Sequence, residues 1–463
     1  MELGFETIGN ATLVCHDRGP VLVTDPWIVG SAYFGSWTRS HEIPERQLEA
    51  IRSCRYVWLS HGHPDHLSAE SLELLRSSRI LLPDHVGGRV HEDLRALGLE
   101  VEVLPDRRWV QLTPRIRIQS IPDWNQDAVL LVDVGGRLLV DLNDAGDRGW
   151  GAHVRAIMRE YQETYLLALS GYGDADMINF FDEEGQRILP NAARRTPVGQ
   201  TLTPFVDLFG ARFFVPFSSM HRYQRADSVW ANEYTTGLDD YAKGFASKRC
   251  ELLPAFVRRD FAHDDLERIA PREAPLRSLD PREFGDDWDE RLSDDEAREV
   301  ERYVRSTQHV AETLGFVTFR VGGREHRIDL SPQLREKGIT FEVPRGSLLT
   351  AVRYQVFDDL LIGNFMRTTL HGDFGPRRLY PDFSPYVAKY GDNGRARTRE
   401  ELRRYFRTYY RRDPLGCLRS GIDGQCVRLQ DGVARYLRDR VGMQSPVYRA
   451  AKEAYWTVRR LAR

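Results

Sequence analysis

Cysteine is scarce in this chain of 463 residues: there are five, at Cys15, Cys54, Cys250, Cys417 and Cys426, odd in number and far apart. That excludes a disulfide framework and a Cys-x-x-Cys metal knuckle, and it fits a reducing, cytoplasmic setting. No apolar run reaches the roughly 20 residues of a membrane span. Met1-Glu2-Leu3-Gly4 opens into strand-like sequence without the basic and apolar regions of a signal peptide, so none is expected. Charge of one sign is lacking too. The formal net charge is −3, which gives no drive toward nucleic acid or a membrane surface. There is no internal repeat, P-loop or dinucleotide fingerprint. What remains is an ordinary balance of 41% hydrophobic and 29% charged residues. The length exceeds one typical core, so two domains are expected.

One stretch stands apart, Leu59-Ser60-His61-Gly62-His63-Pro64-Asp65-His66-Leu67. Apolar Tyr56-Val57-Trp58-Leu59 reads as a buried strand end running into it, and Ser68 to Leu75 as a helix start. Ligands on such a loop are held rigid from both sides. Neutral imidazoles with a carboxylate suit Zn, Fe or Mn and disfavour thiolate-preferring metals; the bland alternative is a solvated turn. The His-x-His-x-Asp-His pattern resembles the signature of the metallo-β-lactamase superfamily. That resemblance implies an α/β fold, the metallo-β-lactamase αββα sandwich, and a pair of divalent transition metals.

The resemblance also points to residues elsewhere. Asp25-Pro26 follows the strand Val21-Leu22-Val23-Thr24, where it could orient a ligating histidine from behind or be a plain turn carboxylate. The strand Leu138 to Leu142 ends in Asn143-Asp144, the place of the superfamily's metal-bridging carboxylate, which makes Asp144 the candidate against a simple strand-end cap. Phe213-Phe214-Val215-Pro216-Phe217 delivers His221, the candidate last ligand of the second metal. Arg222, Tyr223 and Arg225 follow at once, and their donors suggest recognition of a phosphate or carboxylate, or else a polar helix start.

Asp25-Pro26-Trp27, Trp58-Leu59-Ser60-His61, Asp127-Ala128, Leu139 to Asp144 and Val215-Pro216-Phe217 further resemble the cytidine monophosphate N-acetylneuraminate hydroxylase family, with a fainter match at Asp358-Asp359-Leu360-Leu361-Ile362-Gly363. That family implies hydroxylation of an N-acetyl group on a nucleotide sugar. The chain departs from it twice. Where the family offers a histidine four residues before Asp127, Asp123 stands here; as a ligand it would harden the site toward Fe or Mn, and otherwise the ligand is lost. No Cys-x-His plus Cys-x-x-His pair exists in the sequence for a Rieske cluster, so oxygenase chemistry would need a separate electron donor.

Three functions follow as expectations. The first is a dinuclear iron oxygenase on a polar metabolite such as a nucleotide sugar. Here His61, His63 and Asp123 hold one metal, Asp65, His66 and His221 the other, Asp144 bridges, and Arg222 and Arg225 hold the anionic end of the substrate. The second is a metal-dependent hydrolase of an ester, lactone or phosphodiester, with Asp65 or Asp144 holding the attacking hydroxide. The third is a degenerate binding module. The metal-binding domain is expected over residues 1–264 and a Pro-rich, charged linker over 265–292. A C-terminal α+β domain follows over 293–463, ending in a basic helix from Tyr448. It is expected to shape the pocket or a homo-oligomer contact.

Overall fold

A computed structural model describes residues 1–172, 177–375, 378–380, 383–390 and 394–421. The expected terminal helix and Cys426 lie outside these residues. Among the described residues the four cysteines are free thiols, and no helix is long and apolar enough to cross a membrane.

Two sheets face each other. The first runs, edge to edge, through Asp265–Arg268, Val257–Asp260, Leu3–Ile8, Thr12–Asp17, Pro20–Thr24, Tyr56–Trp58, Arg79–Pro83 and Val101–Leu104. The second runs through Glu251–Leu252, Phe213–Pro216, Thr164–Ala168, Arg137–Asn143, Ala128–Val134, Ile116–Pro122 and Trp109–Thr113. Ala128–Val134 is buried at every position, the reason its sequence is a near-continuous apolar run. Its alternate residues serve two cores. Leu130, Val132 and Val134 meet Phe5, Leu13 and Trp58 between the sheets. Val129 and Leu131 join the outer core with Val154, Leu202 and Val206. The helices Gly151–Met158 and Val198–Phe209 supply that outer layer, while Glu45–Arg52, Ala69–Glu73 and Arg89–Ala96 cover the first sheet. The result is a four-layer αββα sandwich.

Each sheet turns from antiparallel to parallel part-way across. Pro20–Thr24, Tyr56–Trp58 and Arg79–Pro83 are parallel in one, and Arg137–Asn143, Thr164–Ala168 and Phe213–Pro216 in the other. The loops that follow the parallel strands therefore emerge at one end of the sandwich, as in other open α/β sheets that place ligands there. The chain at this rim is bent: Asp25, Gln126, Asn143 and Ser219 hold positive φ of 40°, 70°, 37° and 67°, a left-handed conformation that costs of order 1 kcal/mol or more for each and concentrates at functional sites.

A third sheet orders Phe180–Phe181, Arg367–His371, Gly338–Glu342, Phe316–Val321 and Arg324–Asp329. The helix Asp294–Ser306 opens with a capping box of Ser293 and Glu296 and buries Val300 and Val304, and Phe316–Val321 and Arg324–Asp329 form a hairpin about Gly322-Gly323. The expected domain limits are not clean breaks. The first sheet continues to Arg268, past residue 264, and the third sheet takes its edge strand Phe180–Phe181 from the first half of the chain. Helices Arg345–Tyr354 and Phe357–Ile362 then carry the C-terminal half to the rim of the sandwich.

Candidate metal centre

Val57 and Trp58 are buried and fix the start of the histidine loop. Ser68 closes it by capping the helix Ala69–Glu73, accepting from the Ser71 amide. Between these anchors the His63 carbonyl accepts from the amides of His66 at 3.0 Å and Leu67 at 2.7 Å, which winds the loop into a tight turn with its imidazoles on one side.

Asp25 sets their orientation. One carboxylate oxygen accepts from the Ser60 amide at 2.7 Å. The other accepts from the Ser60 hydroxyl at 2.7 Å and from His66 Nδ1 at 2.9 Å. Ser60 has one proton and gives it to Asp25, so His61 Nδ1, 2.9 Å from Ser60 Oγ, is the donor in that contact. Both rings thus carry their proton on Nδ1 and present Nε2 to the centre, the tautomer a metal ligand needs.

The opposing groups are acceptors. His66 Nε2 lies 3.2 Å from Asp144 Oδ2 and 3.4 Å from Asp65 Oδ2. His61 Nε2 lies 2.9 Å from His63 Nδ1, and His63 Nε2 lies 3.1 Å from Asp358 Oδ2. Asp65 accepts from Tyr33 OH at 2.6 Å and Asn10 Nδ2 at 3.0 Å, and Asp144 from Ser218 Oγ at 2.8 Å. Ligand atoms of His61, His66 and Asp144 form one compact group, and those of His63, Asp358 and Asp359 a second, each within 4.8 Å.

Electrostatics show what the cluster lacks. Burial lowers the pKa of His66, but Asp65, Asp144 and Asp25 overcome it and hold the ring protonated, well above its ordinary value. Burial opposes ionisation of Asp144, yet the charge and hydrogen bond of His66 keep its carboxyl below the usual range. Burial, then His66 and His63, press His61 well down. A proton on His66 is the cation of this set, and the row from His61 to Asp358 has more lone pairs than protons. The donor set fits divalent metal ions, which would replace those protons, with His61, His63, His66, Asp65 and Asp144 as the holding groups.

Asp123, the expected third ligand, is directed elsewhere. The turn closes with Asp123 N bonded to the Asp127 carbonyl at 2.9 Å, and Asn125 N binds Asp123 Oδ1 at 2.7 Å. Asp123 lines a neighbouring cavity with Trp124, Tyr409 and Arg412, and burial followed by Asp127 pushes its carboxyl up to about 8. It is Asp127 that lines the cavity of about 290 Å³ shared with His61, His63 and Asp144. His221 is likewise outside the group. The left-handed Ser219 turns the chain so that Ser218 meets Asp144, while His221 pairs in register with Arg39 and stacks on Trp37 at 3.4 Å.

The expected substrate contacts need correction too. Arg222 is ion-paired with Glu273 at 2.8 Å and lines a different cavity. Tyr223 is fully buried, its hydroxyl accepting from Asn364 Nδ2 at 2.8 Å. Arg225 has no exposed surface and is consumed by Asp227, Asp286 and the Phe34 carbonyl. The aromatic, Gly-rich stretch Tyr33 to Trp37, which reads as one wall of a pocket or a packed loop, does line the cavity through Tyr33 and Trp37, whereas Asp358, Asp359, Asn10 and Arg148 were not assigned to the site. Only the Asp358-Asp359 string gave a signal, through its family resemblance.

No family model matches the chain. It is 29% identical over 282 residues to the cytidine monophosphate-N-acetylneuraminic acid hydroxylase of Mus musculus, an alignment of 58% of this chain and 48% of that protein. Less than half the length of the curated relatives it matches is spanned. Among solved structures, CmlA, a diiron β-hydroxylase from Streptomyces venezuelae, aligns at 14% identity and TM-score 0.36, covering 58% of this chain and 54% of CmlA. Igni18, a metallo hydrolase from Ignicoccus hospitalis, aligns at 14% identity and TM-score 0.34, covering 56% and 99%.

The fold is the metallo-β-lactamase sandwich. Its four layers, the switch to parallel strands in each sheet and the histidine loop at their ends are those of that fold, with an additional C-terminal α+β part. By their own descriptions, the relative and the two solved structures are hydroxylases and a metallo hydrolase.

Proposed function

We propose that the chain is a dinuclear iron oxygenase that hydroxylates a polar metabolite, with a cytidine-monophosphate-linked sugar acid as the first substrate to try. The observation that carries this reading is the oxygen-rich donor set: Asp65, Asp127, Asp144 and Asp358 stand around three imidazoles. Hard carboxylates favour iron or manganese over a histidine-dominated zinc site. Iron, when bound, supplies reductive chemistry on dioxygen, with electrons from a separate donor.

The chain's own groups prepare that chemistry. Asp25 fixes the tautomers of His61 and His66. Asp144 faces His66 with one oxygen and is steadied through the other by Ser218, so it would hold a metal ion together with His61 and His66. Tyr33, held protonated by burial and Asp65, fixes Asp65 as an acceptor. Trp37, Ile178, Leu361 and Ile362 line the same cavity and keep bulk water from the reacting end of the substrate.

The test is to purify the protein without oxygen, measure metal identity and stoichiometry, and supply the sugar nucleotide, a chemical reductant and ¹⁸O₂. Two irons per chain and a product heavier by one ¹⁸O atom are expected. Two zincs, no oxygen uptake and cleavage of a lactone or phosphodiester overturn the oxygenase in favour of the hydrolase.

A further inference from the structure

One wall of the metal cavity carries a cation that has carboxylates within electrostatic range, Asp123 and Asp127, but no hydrogen-bonded partner among the described residues. Arg148 is half-buried and lines the cavity beside Asp144 and Asp127. It makes no hydrogen bond or ion pair among the described residues, and its Nε is buried without a partner. Its neighbours differ: in the adjoining cavity Arg107 binds Asp413 at 2.8 Å and Arg412 binds Asp84 at 2.7 Å. The guanidinium instead lies over the ring of Trp124, 5.1 Å from the centroid. Lys389, fully buried, has its Nζ 5.0 Å from the same ring, and its hydrogen bonds go to Asn125 Oδ1 at 3.4 Å and the Pro385 carbonyl, with no carboxylate. The two basic groups thus share one indole, and burial, with Arg148 next, lowers Lys389 to about 7. Ser384 lines the same cavity and offers a second buried polar atom, its Oγ, without a partner.

We propose that Arg148, lying over Trp124, and Ser384 form an anion subsite in the metal cavity that seats the carboxylate or phosphate of the substrate. This rests on the reading of the histidine cluster as the reacting centre. An oxyanion there would accept from the free guanidinium fork and from the Ser384 hydroxyl, the planar pairing for which arginine is suited. The subsite takes over the role expected of Arg222 and Arg225. Asp127 lies in electrostatic range of Arg148, His63 and Asp144 together, so a bound anion stands one side chain away from the histidines. A cavity of about 290 Å³ is at the lower edge of ligand pockets, roughly 300–1,000 Å³. It therefore seats one end of a larger ligand: the end that carries both the anion and the carbon to be attacked.

The experiment is calorimetric titration of the metal-loaded full chain with inorganic phosphate and, separately, acetate, comparing the native protein with R148M, R148K and S384A. Anion taken up by the metals is common to all four and cancels in the comparison. R148M is expected to weaken binding of the recognised anion about tenfold, R148K less, and S384A about threefold, with metal content and melting temperature unchanged. A larger loss for phosphate assigns a phosphate ligand, and a larger loss for acetate a carboxylate. Superimposable isotherms for the native protein and R148M, or no binding of either anion, overturn the subsite. Metal identity and oxygen uptake are read independently. An Arg148-dependent anion site in a zinc-loaded protein that consumes no oxygen leaves the subsite standing and removes the oxygenase.

Discussion

Two of the buried ionic clusters among the described residues have opposite balances. Around Arg225, donors and acceptors match. Nε and Nη2 meet the two oxygens of Asp227 at 3.0 and 2.9 Å, and Nη1 meets Asp286 at 2.7 Å and the Phe34 carbonyl at 2.9 Å. Asp286 also takes the Ser347 amide, and Asp227 the Trp288 indole. Around His66, three carboxylates face one imidazole, with two more imidazoles and Asp358 alongside. A satisfied cluster is a clasp between chain segments, while one with surplus acceptors awaits cations. Density of charged residues in the sequence does not separate the two; the count of donors against acceptors does.

The sharpest break between them is thermodynamic. R225M leaves Asp286, buried at 1% exposure, without its counter-charge, and is expected to cost about 3–5 kcal/mol in denaturant unfolding with metal stoichiometry per folded chain unchanged. Metal loss with intact stability would show that the clasp belongs to the site. The converse holds at the histidines. Metal at about one hundred times its dissociation constant should stabilise the native chain by about 2.7 kcal/mol, and the H61A chain by far less. A chelator should reverse the gain, readable as a shift in melting temperature.

Smaller effects grade the outer partners. D25N removes the acceptor that fixes two tautomers and is expected to weaken metal binding about 10- to 100-fold, measured by competition with a chromophoric chelator. D358N, which touches His63 from the C-terminal half, should cost about tenfold at most. A loss well beyond that of D25N would place Asp358 among the direct ligands.

These grades also mark what a sequence can disclose. His61 to His66 lie within six positions, so local spacing exposes them, and Asp144 ends a strand whose apolar run is plain. Asp358 meets His63 across 295 residues, through a helix of another sheet's domain, which no local pattern encodes. Arg225 reads as a surface donor because Asp286, 61 residues away, sits in a stretch whose prolines and charges suggest a linker. The choice between Asp123 and Asp127 hangs on a single turn, and His221 on the left-handed Ser219; one bend of the backbone reassigns a side chain.

A third buried group, His16, calibrates the comparison, because it is an imidazole with no cation to await. Its ring is buried on the strand Thr12–Asp17, with Glu6 at 3.8 Å. Glu6 is already committed to Arg258 at 3.1 Å and Gln47 at 3.2 Å. Burial, with the N-terminus and Arg258 opposing a further positive charge, lowers His16 to about 3. The unfolded chain regains a value near 6.5, so between these limits unfolding takes up a proton. Stability from His16 is full above about pH 6.5 and is lost as pH falls toward about 3. In chelator, from pH 7.5 to 5.5, the loss from this residue should be about 1 kcal/mol, and H16Q should unfold with a correspondingly flatter pH dependence. The window lies above the ordinary carboxylate range, so the difference between the two curves belongs to the imidazole. His66, held protonated by its three carboxylates, should by contrast add no loss of stability over the same window. A native curve as flat as that of H16Q would mean that the proton enters the folded chain at His16, and that Glu6 is a partner rather than a spectator.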